Sequence, residues 1–154
     1  MPELPEVQTT VDGINRTVKS LTIKDVWTSY GSRYFHGKDN IKNPKFFETF
    51  KKEVVGKKIK NASRRAKNIL IHLDGGEPTI LIHMKMTGHV MYGNYYFDKN
   101  HTNDPWKPLE KNDKGKKQTA LLDPFNRHIR LVFTLSNGKQ LVLSDTRKFA
   151  KVTF

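Results

Sequence analysis

The sequence predicts an α+β fold, an antiparallel β-sandwich flanked by two α-helices. Three observations carry that expectation. Two stretches have helical apolar spacing, several others alternate as strands do, and one pair of alternating stretches is joined by Asn-Gly. Helices beside a run of antiparallel strands define this layer architecture.

Taken in order, Val7, Val11, Ile14 and Val18 lie on one face of a helix that starts near Pro5. Gly13 falls inside it, at about 1 kcal/mol of helix propensity, which a packed face tolerates. A strand is expected around residues 21–27. Asn43-Pro44 reads as an N-cap followed by a first-turn proline, opening a short helix with Phe46, Phe47, Phe50 and Val54 turned inward. After Gly56 the pattern becomes β, with Ile69, Ile71 and Leu73, a Gly75-Gly76 turn, then Ile80 and Ile82. Residues 93–118 are polar, lysine-rich and turn-rich, with Trp106 between prolines, and read as an exposed loop. Ile129, Leu131, Phe133 and Leu135 then alternate, Asn137-Gly138 turns the chain, and Leu141 and Leu143 resume, a hairpin with a type I′ turn.

The 154 residues suit a single domain with a real core. Lys and Arg number 28 against 15 Asp and Glu, a formal charge of +13. That balance favours a polyanionic partner, nucleic acid first and an anionic membrane surface second. No apolar run reaches the roughly 18 residues that span a bilayer, and the N-terminus is not a signal peptide, so no membrane partner and a cytoplasmic, nucleoid-associated location are expected. The chain is expected to be monomeric. It has no cysteine, which excludes disulfides and thiolate metal sites, and its 6 histidines show no clustered spacing, so no metal is expected.

The opening Met1-Pro2-Glu3-Leu4-Pro5-Glu6-Val7 carries the most chemistry. Removal of Met1 would make Pro2 an N-terminal secondary amine, titrating near 7.7–8.0 rather than the roughly 10.4 of a lysine. Such an amine attacks an aldehyde-like carbon, and from proline the adduct is a cationic iminium, an electron sink. Glu3 stands beside it, placed to give or take a proton. Glu6, one turn on, either hydrogen-bonds that amine or a water, or is a first-turn acid complementing the helix dipole. The alternative for the prolines is that they merely start a helix.

Four motifs follow one another along the chain: Pro2-Glu3-Leu4-Pro5-Glu6-Val7, Arg64-Arg65-Ala66-Lys67, His83-Met84-Lys85-Met86-Thr87-Gly88, and Asp145-Thr146-Arg147-Lys148-Phe149-Ala150. Together they resemble the formamidopyrimidine-DNA glycosylase family, bifunctional glycosylase/lyases that excise oxidised bases. The resemblance implies that Pro2 is the nucleophile at C1′ of the damaged nucleotide and Glu3 the general acid/base at the sugar ring oxygen. It implies that Lys67 reaches the damaged nucleotide and its phosphate. The family commonly has glycine and an aromatic residue flanking that lysine, where this chain has Ala66 and Asn68. Arg147 and Phe149 match the pair that fills the void left by an extruded base, with Ala150 replacing the usual glycine, and Met86 is a third wedge. Met86 and Phe149 read alternatively as core residues. His128 is a phosphate contact by resemblance or a surface histidine, and His83 a packed structural one.

The family's helix–two-turn–helix module and zinc finger have no counterpart here, so residues 1–154 are expected to be one N-terminal catalytic domain without a cofactor. Damaged double-stranded DNA is the implied partner. Endonuclease VIII relatives, which favour oxidised pyrimidines, open with glycine after Pro-Glu and lack an Arg-x-Phe wedge. Leu4 and Arg147-Lys148-Phe149 therefore point to the purine branch. Two alternatives stay open: a non-catalytic DNA-binding module or truncated fragment that keeps the fold, and a basic RNA- or ribosome-associated β-domain.

Overall fold

The computed structural model describes residues 4–30, 40–75, 79–85, 88–100, 104–123, 126–145 and 151–154. Helix α1 spans Leu4–Thr17, and strand β1, Ile23–Thr28, follows. Helix α2 is Pro44–Val54; β2 is Ile59–Arg65, β3 Asn68–Leu73, β4 Thr79–His83 and β5 Gly88–Gly93. A short ribbon follows, β6 (Tyr95–Phe97) and β7 (Trp106–Pro108), then a helical turn α3 (Thr119–Leu122). The chain ends in β8 (Ile129–Leu135), β9 (Gln140–Asp145) and β10 (Lys151–Thr153).

The strands form two 4-stranded antiparallel sheets, ordered β1-β8-β9-β5 and β10-β4-β3-β2. They share one core. Val26, Leu131, Phe133, Leu141 and Leu143 from the first sheet meet Ile59, Ile69, Ile71, Ile80 and Ile82 from the second. The expected α1 face (Val7, Val11, Ile14, Val18) is buried against them, as are Phe50 and Val54 of α2. Asn43 caps α2 as its sequence suggests, its side chain accepting from the Lys45 and Phe46 amides, with Pro44 in the first turn.

Edge strands expose unpaired backbone groups, and β2 is an edge. Asn15 of α1 answers both lone groups of Ala62: its Nδ2 donates to the Ala62 carbonyl (2.9 Å) and its Oδ1 accepts from the Ala62 amide (2.7 Å). That clamp fixes α1 along β2.

Two expectations change. The β8–β9 turn is not type I′, which needs positive φ at both central residues. Only Gly138 has it (φ 83), and its amide donates to the Leu135 carbonyl at 3.0 Å. Ser136 and Asn137 are therefore the central residues of a type I turn, and Gly138 forms the following bulge. The cause is tertiary: the Ser136 amide and hydroxyl are engaged with Thr22 at the start of β1. The 93–118 segment, read as an exposed loop, contains the β6–β7 ribbon. It covers the outer face of the first sheet, where Tyr95 and Leu121 join Val132 and Val142 in a second buried cluster with Trp27 and Trp106 against it. Every residue of β9 is consequently buried.

Candidate active site

The connectivity brings the described parts of the four sequence motifs, namely residues 4–7, 64–67, 83–85 with Gly88, and Asp145, to one end of the sandwich. Helix α1 runs antiparallel to β2: Gln8 Oε1 accepts from Arg64 Nε (3.2 Å) near its start, while Ser20 past its end donates to the Ile59 carbonyl. The opening of α1 therefore overlies the β2–β3 turn. At the same end β4 finishes at His83 and β5 begins at Gly88, and β9 finishes at Asp145 before β10 begins at Lys151.

Lys67 sits in the two-residue β2–β3 loop, closed by the pairing of Arg65 with Asn68. Only the first loop residue, Ala66, has positive φ (53), the pattern of a type II′ turn that glycine normally fills. The Ala66 carbonyl accepts from Arg64 Nη1 at 3.0 Å. A second non-glycine residue in this conformation, Lys85 (φ 54), leads out of β4. The next described residue, Gly88, returns so close that an added Cβ would stand 2.8 Å from the Met84 carbonyl oxygen. Its amide donates to that same oxygen at 3.1 Å, so only glycine closes this connection.

His83 lies between Asn68 on β3 and Lys151 on β10 in cross-strand register. Its pKa is lowered, first by burial and then by the charges of Lys85, Lys67 and Lys151. Lys67 and Lys85 lie on two different connections and Lys151 opens β10, so three separate elements bring positive charge to bear on one imidazole, a field suited to a phosphate. Sequence pattern singles out Lys67 alone and reads His83 as packing. Strand register is the signal that joins the others.

Asp145 anchors the neighbouring strand ends. Its fully buried carboxylate accepts from the Tyr30 hydroxyl at 2.6 Å, its amide donates to the His128 carbonyl (2.9 Å), and its carbonyl accepts from Arg130 Nε (3.1 Å). Burial and the Asp145 carboxylate push the Tyr30 phenol far above its ordinary range, so it stays a neutral donor. Gly88 pairs with Asp145 across the sheet, which ties the β4–β5 connection to the same anchor.

Of the residues singled out by sequence, Glu6, Lys67 and His128 are described. Glu6 is exposed in the first turn of α1. The His128 imidazole is bracketed, with Nδ1 3.6 Å from Asp104 Oδ2 and Nε2 accepting from Arg127 Nε at 3.4 Å. Pro2, Glu3, Met86, Arg147 and Phe149 lie outside the described residues, although the elements that lead to each converge on this end. Among the described residues no group of three or more His, Asp or Glu could hold a metal ion, and with no cysteine the chain does not fit a cysteine-bound zinc. Among them, too, no helix is long and apolar enough to cross a membrane.

This architecture matches that of solved protein–DNA complexes. Lactococcus lactis Fpg bound to DNA containing an abasic site superposes with a TM-score of 0.66 at 23% identity, over 98% of this chain and 42% of that one. The same protein with DNA containing FAPY-dG gives 0.64 at 23% identity, over 97% and 43%. At that identity the likeness defines the fold class, the α+β antiparallel sandwich expected from sequence. The family is defined by sequence: the formamidopyrimidine-DNA glycosylase N-terminal domain matches residues 1–152, and the chain belongs to that family. Formamidopyrimidine-DNA glycosylase of Desulforamulus reducens is 30% identical over 99% of this chain, and that of Bacillus subtilis 31% over 97%. The chain spans 43% and 41% of those two relatives' own lengths.

Proposed function

We propose that this chain is the N-terminal catalytic domain of a base-excision-repair DNA glycosylase/AP lyase that removes oxidised purines from double-stranded DNA in the cytoplasmic nucleoid. The observation that carries this reading is the convergence at one end of the sandwich. The start of α1, the Lys67 turn, the end of β4, the start of β5, the end of β9 and the start of β10 lie at that end, where the charges of Lys67, Lys85 and Lys151 act on His83.

In this mechanism Met1 is removed and the Pro2 nitrogen bonds to C1′ as the bond from C1′ to the base breaks, the base leaving with a proton. Glu3 protonates the ring oxygen as the sugar opens, leaving the iminium between Pro2 and C1′. The iminium acidifies the C2′ proton; its loss expels the 3′ phosphate, and a second elimination expels the 5′ phosphate. Lys67 holds the phosphate of the damaged nucleotide, with Glu6 near the amine. Met86, Arg147 and Phe149 fill the gap in the stack, which offsets the few kcal/mol of unstacking. His128 already faces Asp104 and Arg127, so its contribution is to orient the start of β8 or to reach a phosphate beyond them.

The test is borohydride trapping on duplex DNA with an abasic site or 8-oxoguanine, at low salt, with intact mass of the protein. A covalent adduct on Met-free chain, abolished in Pro2→Gly, is the expected result. Unchanged trapping in Pro2→Gly would remove Pro2 from the mechanism. Absence of any adduct with folding and duplex binding intact would leave a DNA-binding module.

A further inference from the structure

A closed ring of contacts joins the β6–β7 ribbon to the strand ends beneath it. Asp104, two residues before β7, places Oδ1 3.6 Å from Arg130 Nη1 and Oδ2 3.6 Å from His128 Nδ1. Arg130 Nε donates to the Asp145 carbonyl at 3.1 Å, and the Asp145 amide donates to the His128 carbonyl at 2.9 Å, which closes the ring. The side chains of Arg130, Asp104 and His128 are only 12%, 20% and 23% exposed, so solvent and salt screen these contacts little.

The ribbon reaches this ring from the far end of the sandwich. The Tyr95 amide donates to Gln140 Oε1 at 2.9 Å where β9 begins, and Asp104 meets Arg130 where β9 finishes. The ribbon therefore lies along the length of β9, roughly 17 Å at the usual rise of a strand. Its underside is fixed on the first sheet: Tyr95 is buried with Leu121, Val132 and Val142, and Trp106 packs edge-on against Trp27 and Phe97, with ring centroids 6.4 and 5.5 Å away. A brace anchored in this way carries its grip from one end of the sandwich to the other. The two groups it grips are those the repair reading uses, since His128 faces a phosphate there and β9 leads from Asp145 into the stretch that contains Arg147 and Phe149.

We propose that Asp104 and Arg130 are positioning residues for lesion recognition, through which the ribbon holds the His128 imidazole and the Asp145 main chain in fixed relation. The proposal rests on the repair reading and adds to it two residues from outside its four motifs. Arg130 suits the role because one planar guanidinium presents Nε and Nη1 in fixed directions, one to each partner. A lysine, with a single nitrogen on a flexible stem, cannot hold both. A misplacement of about 1 Å in such a support costs up to roughly 10²-fold in the step it serves. Charge alone predicts the opposite sign, because loss of a carboxylate near the DNA-facing end favours a polyanion. The two effects are thereby separable.

The test compares, by anisotropy, the affinity of the chain for duplex with a reduced abasic site, which cannot form an iminium, and for undamaged duplex of the same sequence. Asp104→Asn and Arg130→Lys should each lower the ratio of the two affinities about tenfold, while undamaged duplex binds no more weakly. Asp104→Glu, which keeps the carboxylate, should restore most of the ratio. In the free chain the Asp145 amide should exchange with solvent about tenfold faster in Asp104→Asn and Arg130→Lys, with the amides of β3 unchanged. An equal loss of affinity for both duplexes, as general destabilisation would give, overturns the proposal, as does unchanged exchange at Asp145. A wild-type chain that binds both duplexes alike overturns the repair reading and this proposal with it. A wild type that discriminates, with an unchanged ratio in both variants, overturns this proposal alone.

Discussion

At one end of the sandwich, the turns that need a left-handed backbone mostly use glycine: Gly56 (φ 89), Gly75 (φ 94) and Gly138 (φ 83). At the other end the same conformation falls on Ala66 and Lys85, each carrying a side chain into a region that costs roughly 1–2 kcal/mol without glycine. Ser20 (φ 75), where α1 hands over to β1, is the exception at the glycine end. Ala66 precedes Lys67, and Lys85 is itself one of the lysines whose charge acts on His83. Strain of this kind persists where surrounding structure over-determines it, and here it accompanies the end to which we assign the proposed chemistry. One end of this fold is built for stability, the other for holding cations in place.

Substitutions should separate the two ends. Glu3→Gln is expected to lower base excision by about 10²-fold or more, the contribution of a positioned acid or base, with little change in melting temperature. Action on a ready-made abasic site should fall far less; equal losses would make Glu3 a structural residue. Tyr30→Phe strips the buried Asp145 carboxylate of a donor and should cost about 1–3 kcal/mol in urea unfolding. The two turns provide a mirrored pair. Gly138→Ala should destabilise by about 1–2 kcal/mol, whereas Ala66→Gly should be neutral or stabilising by up to about 1 kcal/mol. A loss of stability in Ala66→Gly would show that Ala66 is not strained.

The smallest effect concerns pH. Burial and the three lysines lower the His83 pKa in the folded chain, so as pH falls below about 6.5 the unfolded chain takes up a proton first and stability declines. A bound phosphate adds negative charge and raises that pKa, so duplex binding takes up a proton and strengthens as pH falls through the same window. His83→Gln should flatten both dependences, read by melting and by anisotropy at a series of pH values.

Much of this fold is legible in the sequence because it depends on short-range pattern. The α1 face, the Asn43-Pro44 cap and the alternation of β3, β4 and β8 all follow from neighbours within a turn or two. The Asn137-Gly138 turn departs from its expected type because Ser136 is held against Thr22, an interaction between distant strands. The β6–β7 ribbon leaves little trace in the pattern, since each strand is 3 residues long and the segment around it is polar. For the site, motif order points to Lys67, but Lys85 and Lys151 join it only through the pairing of β4 with β3 and β10. Neither composition nor spacing holds that information.

The most direct test of the contrast between the two ends is the salt dependence of duplex binding in single-lysine variants. Lys67→Ala, Lys85→Ala and Lys151→Ala should each reduce the slope of log affinity against log salt, by about 0.9 for each phosphate no longer neutralised. Lys58→Ala, at the opposite end beside Thr22, should leave it unchanged. Equal slopes in all four variants, or a reduced slope in Lys58→Ala alone, would contradict the assignment of the His83 end as the DNA-facing one.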